Sequence, residues 1–290
     1  MARDEPPPGG DVLGVRAYPR ALRGAAGGLL LVAGASLPFL LGRVLLATDP
    51  PMTPPMVLRA FLAFSVLPAL AAWLIGRALA AQVELDRDAL GLCVGGQRFT
   101  VALASIARVE PWRVPLPQPG FALGLASGRR FALGIAPDDP GGILARLAEL
   151  GVPGAAAAAV HPSLVYARVK HAAGPLGGRR LVAKFPLFGV LVAGVLFNAH
   201  QHIAYGGTFG QYDLEGAWPY ARGFVTYWVT TTIYLLLYAS AWRVAAETVA
   251  WLSARRSERV AAFARRVVDL VCRLAYYAGV PFLLALRFAQ

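Results

Sequence analysis

The stretch Gly120-Phe-Ala-Leu-Gly-Leu-Ala-Ser-Gly-Arg-Arg-Phe-Ala-Leu-Gly-Ile135 decides how the water-soluble part of this chain folds. Large apolar side chains alternate with small residues on both sides of Ser127-Gly128, which supply a turn. A period of two is typical of a β-strand, because successive side chains point to opposite faces of a sheet. The stretch therefore predicts a β-hairpin with one apolar face.

Further strand patterns precede this hairpin, and one helical pattern follows it. Alternating apolar runs begin at Val83, Leu90, Phe99 and Ile106. After the hairpin, Asp138 or Asp139 can cap a helix that has Pro140 near its first turn, and apolar residues then repeat at helical spacing as far as Leu150. We therefore predict a soluble β-rich domain over residues 82–151, closed by one helix.

This order of elements resembles a pleckstrin-homology (PH)-like barrel, and in particular the small PH-like domains of bacterial polytopic membrane proteins. The resemblance is carried by Val83-Glu-Leu85, Leu90-Gly-Leu92, Ile106 to Val109, the Gly120 to Ile135 hairpin and the helix at 140–150. It covers only about residues 82–151, which is short for seven strands, so a smaller or partly open sheet is the alternative. The resemblance implies binding of a protein or a lipid, although bacterial examples need not bind phosphoinositides.

The rest of the chain has the composition of membrane-spanning helices. Hydrophobic residues make up 57% of the chain and charged residues 15%, against about 45–50% and about 25% in a soluble domain. We predict two spans within 24–80 and two or three within 185–290, where the stretch 267–286 either crosses or lies at the interface. The expected fold is an α-helical polytopic membrane protein with four or five transmembrane helices and an inserted PH-like domain.

Basic residues predict the orientation of the chain. The tail 1–23 has four Lys or Arg and the region 82–184 has twelve, whereas the short loops 48–56 and 205–221 have none. Because cytoplasmic loops carry the excess of Lys and Arg, we expect the N-terminus and residues 82–184 to face the cytoplasm of a bacterium, with the chain in its inner membrane. Residues 1–23 are expected to be a disordered tail, and 152–184 a basic linker.

A polar cluster ends the third predicted span. It contains Asn198, His200, His202 and Tyr205. Polar groups at membrane depth are costly, so this cluster is a functional hypothesis, with a metal or quinone site as its strongest form. However, His-x-His places the two rings about 200° apart on a helix, and no carboxylate lies at ligand spacing. The alternative is an interfacial cap in contact with headgroups and water, and we predict no metal or cofactor.

The Pro-rich loop between residues 111 and 119 is a second candidate. Trp112 and Arg113 lie in it, and loops between strands often carry binding residues. Trp112 is predicted either to contact a partner or to be an ordinary core aromatic residue.

The sequence favours a non-catalytic role. It contains no phosphate-binding glycine loop, dinucleotide fingerprint, Gly-x-Ser-x-Gly or His-Glu-x-x-His motif. Loops beside membrane spans explain the net charge of +12 without nucleic acid. We expect an accessory or scaffold subunit that contacts membrane lipids and binds a membrane-protein partner or a second copy of itself. The alternative is a membrane enzyme or carrier that acts on a lipidic substrate near His200 and His202.

Overall fold

A computed structural model describes residues 11–46, 52–172, 183–279, 281–282 and 285 of the 290-residue chain. The chain divides into two compact units. Unit 1 comprises residues 1–33, 66–174 and 247–266, and unit 2 comprises residues 34–65, 175–246 and 267–290.

Four helical stretches are long and apolar enough to cross a membrane. They are Arg20–Leu45, Pro54–Ala78, Phe185–Tyr205 and Ala217–Ser253. At 1.5 Å per residue even the shortest is about 31 Å long, which matches the hydrocarbon core of a bilayer. The four predicted spans are therefore confirmed by length and composition, and no fifth span is found among the described residues.

A short irregular segment interrupts the second of these stretches. Helix α1 is Arg20–Leu45. The second stretch consists of α2, Pro54–Phe61, and α3, Leu67–Ala78, joined by the π-helical segment Leu62–Val66. Pro68 in the first turn of α3 has no N–H to donate, which is consistent with an altered hydrogen-bond pattern just before it.

Seven strands form one curled antiparallel sheet in unit 1. They are β1 Asp11–Pro19, β2 Ala80–Leu85, β3 Ala89–Val94, β4 Gln97–Ala102, β5 Ile106–Pro111, β6 Phe121–Leu125 and β7 Leu133–Pro137. Their order across the sheet is β4-β3-β2-β1-β7-β6-β5. The core lies on one face, where Leu90, Leu92, Phe121, Leu123 and Ile135 have no exposed surface.

Strand β1 corrects the prediction of a disordered tail over residues 1–23. It pairs with β2 from Asp11↔Leu85 to Arg16↔Ala80, and with β7 from Val15↔Pro137 to Pro19↔Leu133. Val15 and Ala17 are buried in the sheet core. The free energy gained by removing their apolar surface from water stabilises the strand, although charged residues lie beside them in sequence. Residues 1–10 lie outside the described part of the chain.

The hairpin and the closing helix are confirmed. Gly128 takes a φ of +79° in the turn, a conformation that glycine adopts without steric cost. Helix α4, Pro140–Glu149, begins after Asp139, whose carboxylate accepts a hydrogen bond from the Gly141 N–H at 2.9 Å. Leu147 and its apolar neighbours on α4 are fully buried in the sheet core.

The prediction that residues 152–184 form a linker is wrong for most of the residues that the structure describes in this range. Two helices occupy it, α5 Ala155–Ala159 and α6 Pro162–Ala172. Leu164 joins the sheet core, while Val165 and Val169 pack in a second cluster with residues 250–262. Apolar spacing in α6 therefore prevails over the basic residues that indicated a linker. Residues 173–182 lie outside the described part.

A buried ion pair joins the end of the longest helix to the helix that follows it, and a hydrogen bond links α6 to the same carboxylate. The remaining helices are α7 Phe188–Tyr205, α8 Gly210–Glu215, α9 Ala217–Ser253 and α10 Glu258–Leu274. Glu247 on α9 accepts hydrogen bonds from the Tyr166 hydroxyl at 2.6 Å and from Arg265 Nη2 at 3.0 Å. The Arg265 side chain is only 6% exposed. These contacts fix α10 against α6 within unit 1.

Candidate functional site

The polar cluster at the end of α7 makes local contacts in unit 2. His202 Nε2 lies 3.1 Å from Thr208 Oγ1, and the Tyr205 hydroxyl donates to Glu215 at 3.3 Å. The half-buried His200 ring packs edge-on to Tyr205, with 6.1 Å between ring centroids. Asn198 is exposed. The four predicted residues therefore lie within the last two turns or so of α7, and their contacts do not converge on a single point.

A buried glutamine holds this end of α7 to α8. Gln201 has no exposed surface. Its Nε2 donates to Gln211 Oε1 at 2.9 Å, and its Oε1 accepts from the Gln211 backbone N–H at 3.2 Å. Gln211 Nε2 in turn donates to Glu215 at 2.8 Å. Because each buried amide group finds a partner, this network stabilises the turn without an external ligand.

An aromatic pocket of about 540 Å³ lies on the segment that follows α7. Its lining comprises Phe209, Tyr212, Asp213, Ala217 and Tyr220. Phe209 and Tyr212 are exposed, as expected for the aromatic residues that gather at membrane–water interfaces. No group of three or more metal-binding side chains is found in the described part of the chain.

The sequence left two roles open for Trp112, a partner contact or a core aromatic residue. The structure places its side chain in the core. It is 4% exposed and packs edge-on to Tyr18 with 6.3 Å between centroids, while the Arg23 guanidinium lies 4.3 Å from its ring centre. Burial leaves little of the Trp112 side chain for direct contact with a partner. Arg113 is exposed, and a contact through this residue stays a prediction.

A second pocket, of about 390 Å³, lies in unit 1 where the sheet meets α1 and α3. We call it the junction pocket. It is lined by Arg16, Tyr18, Leu30, Ala69, Ala72, Trp73, Gly76, Arg77, Ala80, Pro117 and Gln118. Strand β1 passes into α1 at Pro19-Arg20, and α3 is separated from β2 only by Leu79. The pocket is thus built from the two places where the sheet and the candidate spans are joined by almost no linker.

Polar groups line one side of the junction pocket. Arg16 Nη1 donates to Gln118 Oε1 and lies 3.7 Å from an Asp138 carboxylate oxygen. Gln118 is oriented by its own Nε2, which donates to the Ala136 carbonyl at 3.0 Å. Burial raises the pKa of Tyr18, and the nearby Arg16 charge lowers it by less, so the phenol stays protonated at neutral pH.

Sequence reasoning missed this pocket although its two arginines were visible. The sequence predicts a disordered tail around Arg16 and places Arg77 only at the end of a span. Arg77 is exposed, and its guanidinium lies 5.4 Å from the Trp73 ring centre. The available signal was that each arginine stands within a few residues of a span end, but their proximity depends on β1 pairing with β2.

Comparisons with known proteins found no match, so the class of this protein is described from its fold alone. No protein-family model matches the chain, and neither a curated protein nor a solved structure matches it significantly. The structure defines a chain with four helices of membrane-spanning length and composition, together with a curled antiparallel sheet.

Proposed function

We propose that the protein is a non-catalytic accessory or scaffold subunit of a membrane, which binds a partner through its sheet domain. The observation that carries this proposal is the direct passage of β1 into α1 and of α3 into β2. Tyr18, Ala26, Ala72 and Trp112 pack together at these passages. A domain attached by two linker-free connections and a packed cluster is held at the membrane face, where it presents a rigid surface.

Strand β4 is the surface that best fits a protein partner. It lies at one edge of the sheet, and β3 is its only neighbour among the described strands. Phe99 is paired with Leu92 and so shares its apolar face, yet Phe99 is 38% exposed whereas Leu92 is fully buried. An edge strand with an exposed apolar side chain is a template for strand addition by another chain.

The register identifies the amide groups that such a partner would use. Gly95 and Gly96, both with positive φ, form a two-residue turn that makes Val94 and Gln97 a hydrogen-bonded pair. Every second residue of β4 after Gln97 then bonds to β3, so the N–H groups of Arg98 and Thr100 point away from the sheet.

Thr100→Pro tests the partner surface, because proline removes an outward N–H and leaves the bonds to β3 in place. The full-length protein, carrying a photo-crosslinking residue at Phe99, is captured from native membranes, and the adducts are identified. We expect one stoichiometric partner, lost in Thr100→Pro and retained in the control Thr100→Ala. Equal adducts in both variants, or no adduct from the parent chain, would contradict the proposal.

The strand order also supports the proposed PH-like identity. The support is that seven antiparallel strands are followed by α4, which is the order of elements in a PH-like barrel. In this proposal α1, α2 and α3 are inserted between the first and second strands of the domain, so that β1 supplies the strand that residues 82–151 lack.

We also propose that the sheet domain faces the cytoplasm, with the protein in a bacterial inner membrane. The distribution of Lys and Arg supports this orientation. Cysteine labelling tests it: Gln97→Cys, made in a chain with both native cysteines replaced, should react with an impermeant thiol reagent only after the cells are opened. Labelling on intact cells would reverse the orientation.

The second candidate is a membrane enzyme or carrier for a lipidic substrate at the outer end of α7. The half-buried His200 ring, 5.6 Å from the Tyr227 ring, favours it. A His200→Ala, His202→Ala double variant that lost bound lipid, bound metal or activity would support this candidate, whereas a stable stoichiometric partner captured at Phe99 would favour the scaffold.

A further inference from the structure

The junction pocket divides into a polar side and an apolar side. Arg16, Tyr18, Arg77 and Gln118 supply charges and hydrogen-bond donors, whereas Leu30, Ala69, Ala72 and the Trp73 ring supply apolar surface. Its volume of about 390 Å³ falls within the range of roughly 300–1,000 Å³ that is usual for small-molecule sites. A ligand that fits both sides must itself be amphipathic.

Small residues on α3 create this space. A Cβ atom at Gly76 would lie only 2.9 Å from the Tyr18 hydroxyl oxygen, so a larger residue there would force the Tyr18 side chain or α3 to shift. Ala72 and Ala69 stand one and two turns earlier on the same helix, respectively, and leave room beside Trp73. The sequence of α3 thus brings the end of the helix close to β1 at Gly76, and it leaves space for the pocket beside Ala69 and Ala72.

The position of the pocket indicates the depth at which it meets a bilayer. Arg77 stands at the end of the candidate span Pro54–Ala78, and Arg16 precedes the candidate span that begins at Arg20. Ala69 and Trp73 lie within the former span. The polar side therefore corresponds to the headgroup region of a membrane, and the apolar side to the outer part of the hydrocarbon core.

The charges favour an anionic ligand. Arg16 is partly offset by Asp138, which is 3.7 Å away and mostly exposed. For Arg77, the described residues offer no carboxylate partner. Arginine binds phosphate through several N–H donors at once, and Tyr18, which stays protonated, has a further hydroxyl donor to offer.

We propose that the junction pocket binds the phosphate group of an anionic phospholipid. Arg16 and Arg77 hold the phosphate oxygens, Tyr18 and Gln118 complete the polar side, and one acyl chain lies along Leu30, Ala69 and Trp73. A zwitterionic headgroup would bring its own cation towards the two guanidinium groups, so we expect selectivity for net negative lipids. This site lies at the strand–helix junctions.

The inference rests on the proposed function only for the placement of the sheet domain at the membrane face. Lipid binding at this pocket and partner capture at Phe99 are measured separately and use different variants. Failure of the Thr100→Pro experiment would therefore leave the lipid site standing, and failure of the lipid experiment would leave the partner surface standing.

Native mass spectrometry of the full-length protein tests the site. The detergent-solubilised protein is titrated with phosphatidylglycerol, with phosphatidylcholine, and with soluble glycerol phosphate. Each arginine near an anionic headgroup contributes about a fivefold change in affinity, so Arg16→Gln with Arg77→Gln should weaken phosphatidylglycerol binding roughly thirtyfold. Arg59→Gln is the matched control, because it removes the same charge from the other end of the same candidate span. We expect it to bind within twofold of the parent.

A second variant keeps both arginines and fills the apolar side. Ala69→Trp should weaken phosphatidylglycerol binding about tenfold or more, because displacing even two methylene groups of the acyl chain has that effect. This result would hold even if the arginine double variant failed to fold.

Three outcomes would overturn the proposal. They are phosphatidylglycerol affinity within twofold of the parent in Ala69→Trp, equal affinity for phosphatidylcholine in the parent, or glycerol phosphate bound as tightly as phosphatidylglycerol. The last outcome would assign the pocket to a free phosphate ester.

Discussion

Glu247→Gln removes the carboxylate that pairs with the buried guanidinium of Arg265. The Arg265 side chain is 6% exposed, and its Nη1 has no hydrogen-bond partner among the described residues. Arginine cannot release its proton in a protein, so the charge stays buried when its partner is lost. Removing one member of a buried ion pair costs about 3–5 kcal/mol. Because Glu247 is itself 21% exposed, we expect about 3 kcal/mol for Glu247→Gln.

Arg265→Met should cost less, at about 1–2 kcal/mol, because Glu247 keeps the Tyr166 hydroxyl as a donor and retains some contact with water. The double variant Glu247→Gln with Arg265→Met removes both charges of this pair. We expect it to be more stable than Glu247→Gln alone, since an uncharged pair of similar size often replaces a buried ion pair without loss.

The assay is the apparent melting temperature in detergent, followed by intrinsic fluorescence at one fixed heating rate. A fixed rate is needed because membrane proteins of this kind commonly unfold irreversibly. At roughly 2–4 °C per kcal/mol, Glu247→Gln should melt about 6–12 °C below the parent. Glu149→Gln is the control, because Glu149 is exposed and its pair with Arg146 should contribute less than about 1 kcal/mol.

Additive effects in the double variant would refute this reasoning. If the melting temperature of Glu247→Gln with Arg265→Met fell by the sum of the two single losses, the two side chains would not be coupled. An unchanged melting temperature in Glu247→Gln would show that the Arg265 charge is hydrated in the folded protein.

Three smaller predictions concern unit 1 and use the same melting assay. Asp139→Ala should lower the free energy of unfolding by about 1 kcal/mol, because it removes the cap of α4. Asp138→Ala should lower it by less. Gly128→Ala should lower the free energy of unfolding by about 1 kcal/mol because the φ of Gly128 is +79°, whereas Ser127→Ala should leave it nearly unchanged. Burial lowers the pKa of His161 below its usual 6.5, so its contribution to stability should be present above pH 6.5 and lost as the pH falls through the lowered value; His161→Asn should remove this dependence.

The local pattern was enough to predict the elements that depend on neighbours in sequence. The Gly120–Ile135 hairpin follows from alternation and a Ser127-Gly128 turn, and α4 follows from its cap and helical spacing. The four candidate spans follow from apolar length, because a spanning helix satisfies its backbone hydrogen bonds internally and needs no distant partner.

The sequence predicts which residues form the polar cluster of α7, but it does not predict which side chains they contact. Its positions follow from sequence, yet the partners of His202 and Tyr205 come from the turn and α8 that follow. Gln201 is the residue that organises this end of the helix, because its burial depends on how α8 folds back. A sequence pattern cannot reveal which of several polar residues is enclosed.

The sequence by itself determined which segments are apolar helices, which alternate as strands, and where turns and caps interrupt them, since these properties are set within a few residues. Only the tertiary structure decided that residues 11–19 enter the centre of the sheet. Residues 20–79 separate β1 from β2, and pairing across such a distance depends on closing the chain, not on local preference. That pairing places Arg16 beside α3 and so forms the junction pocket.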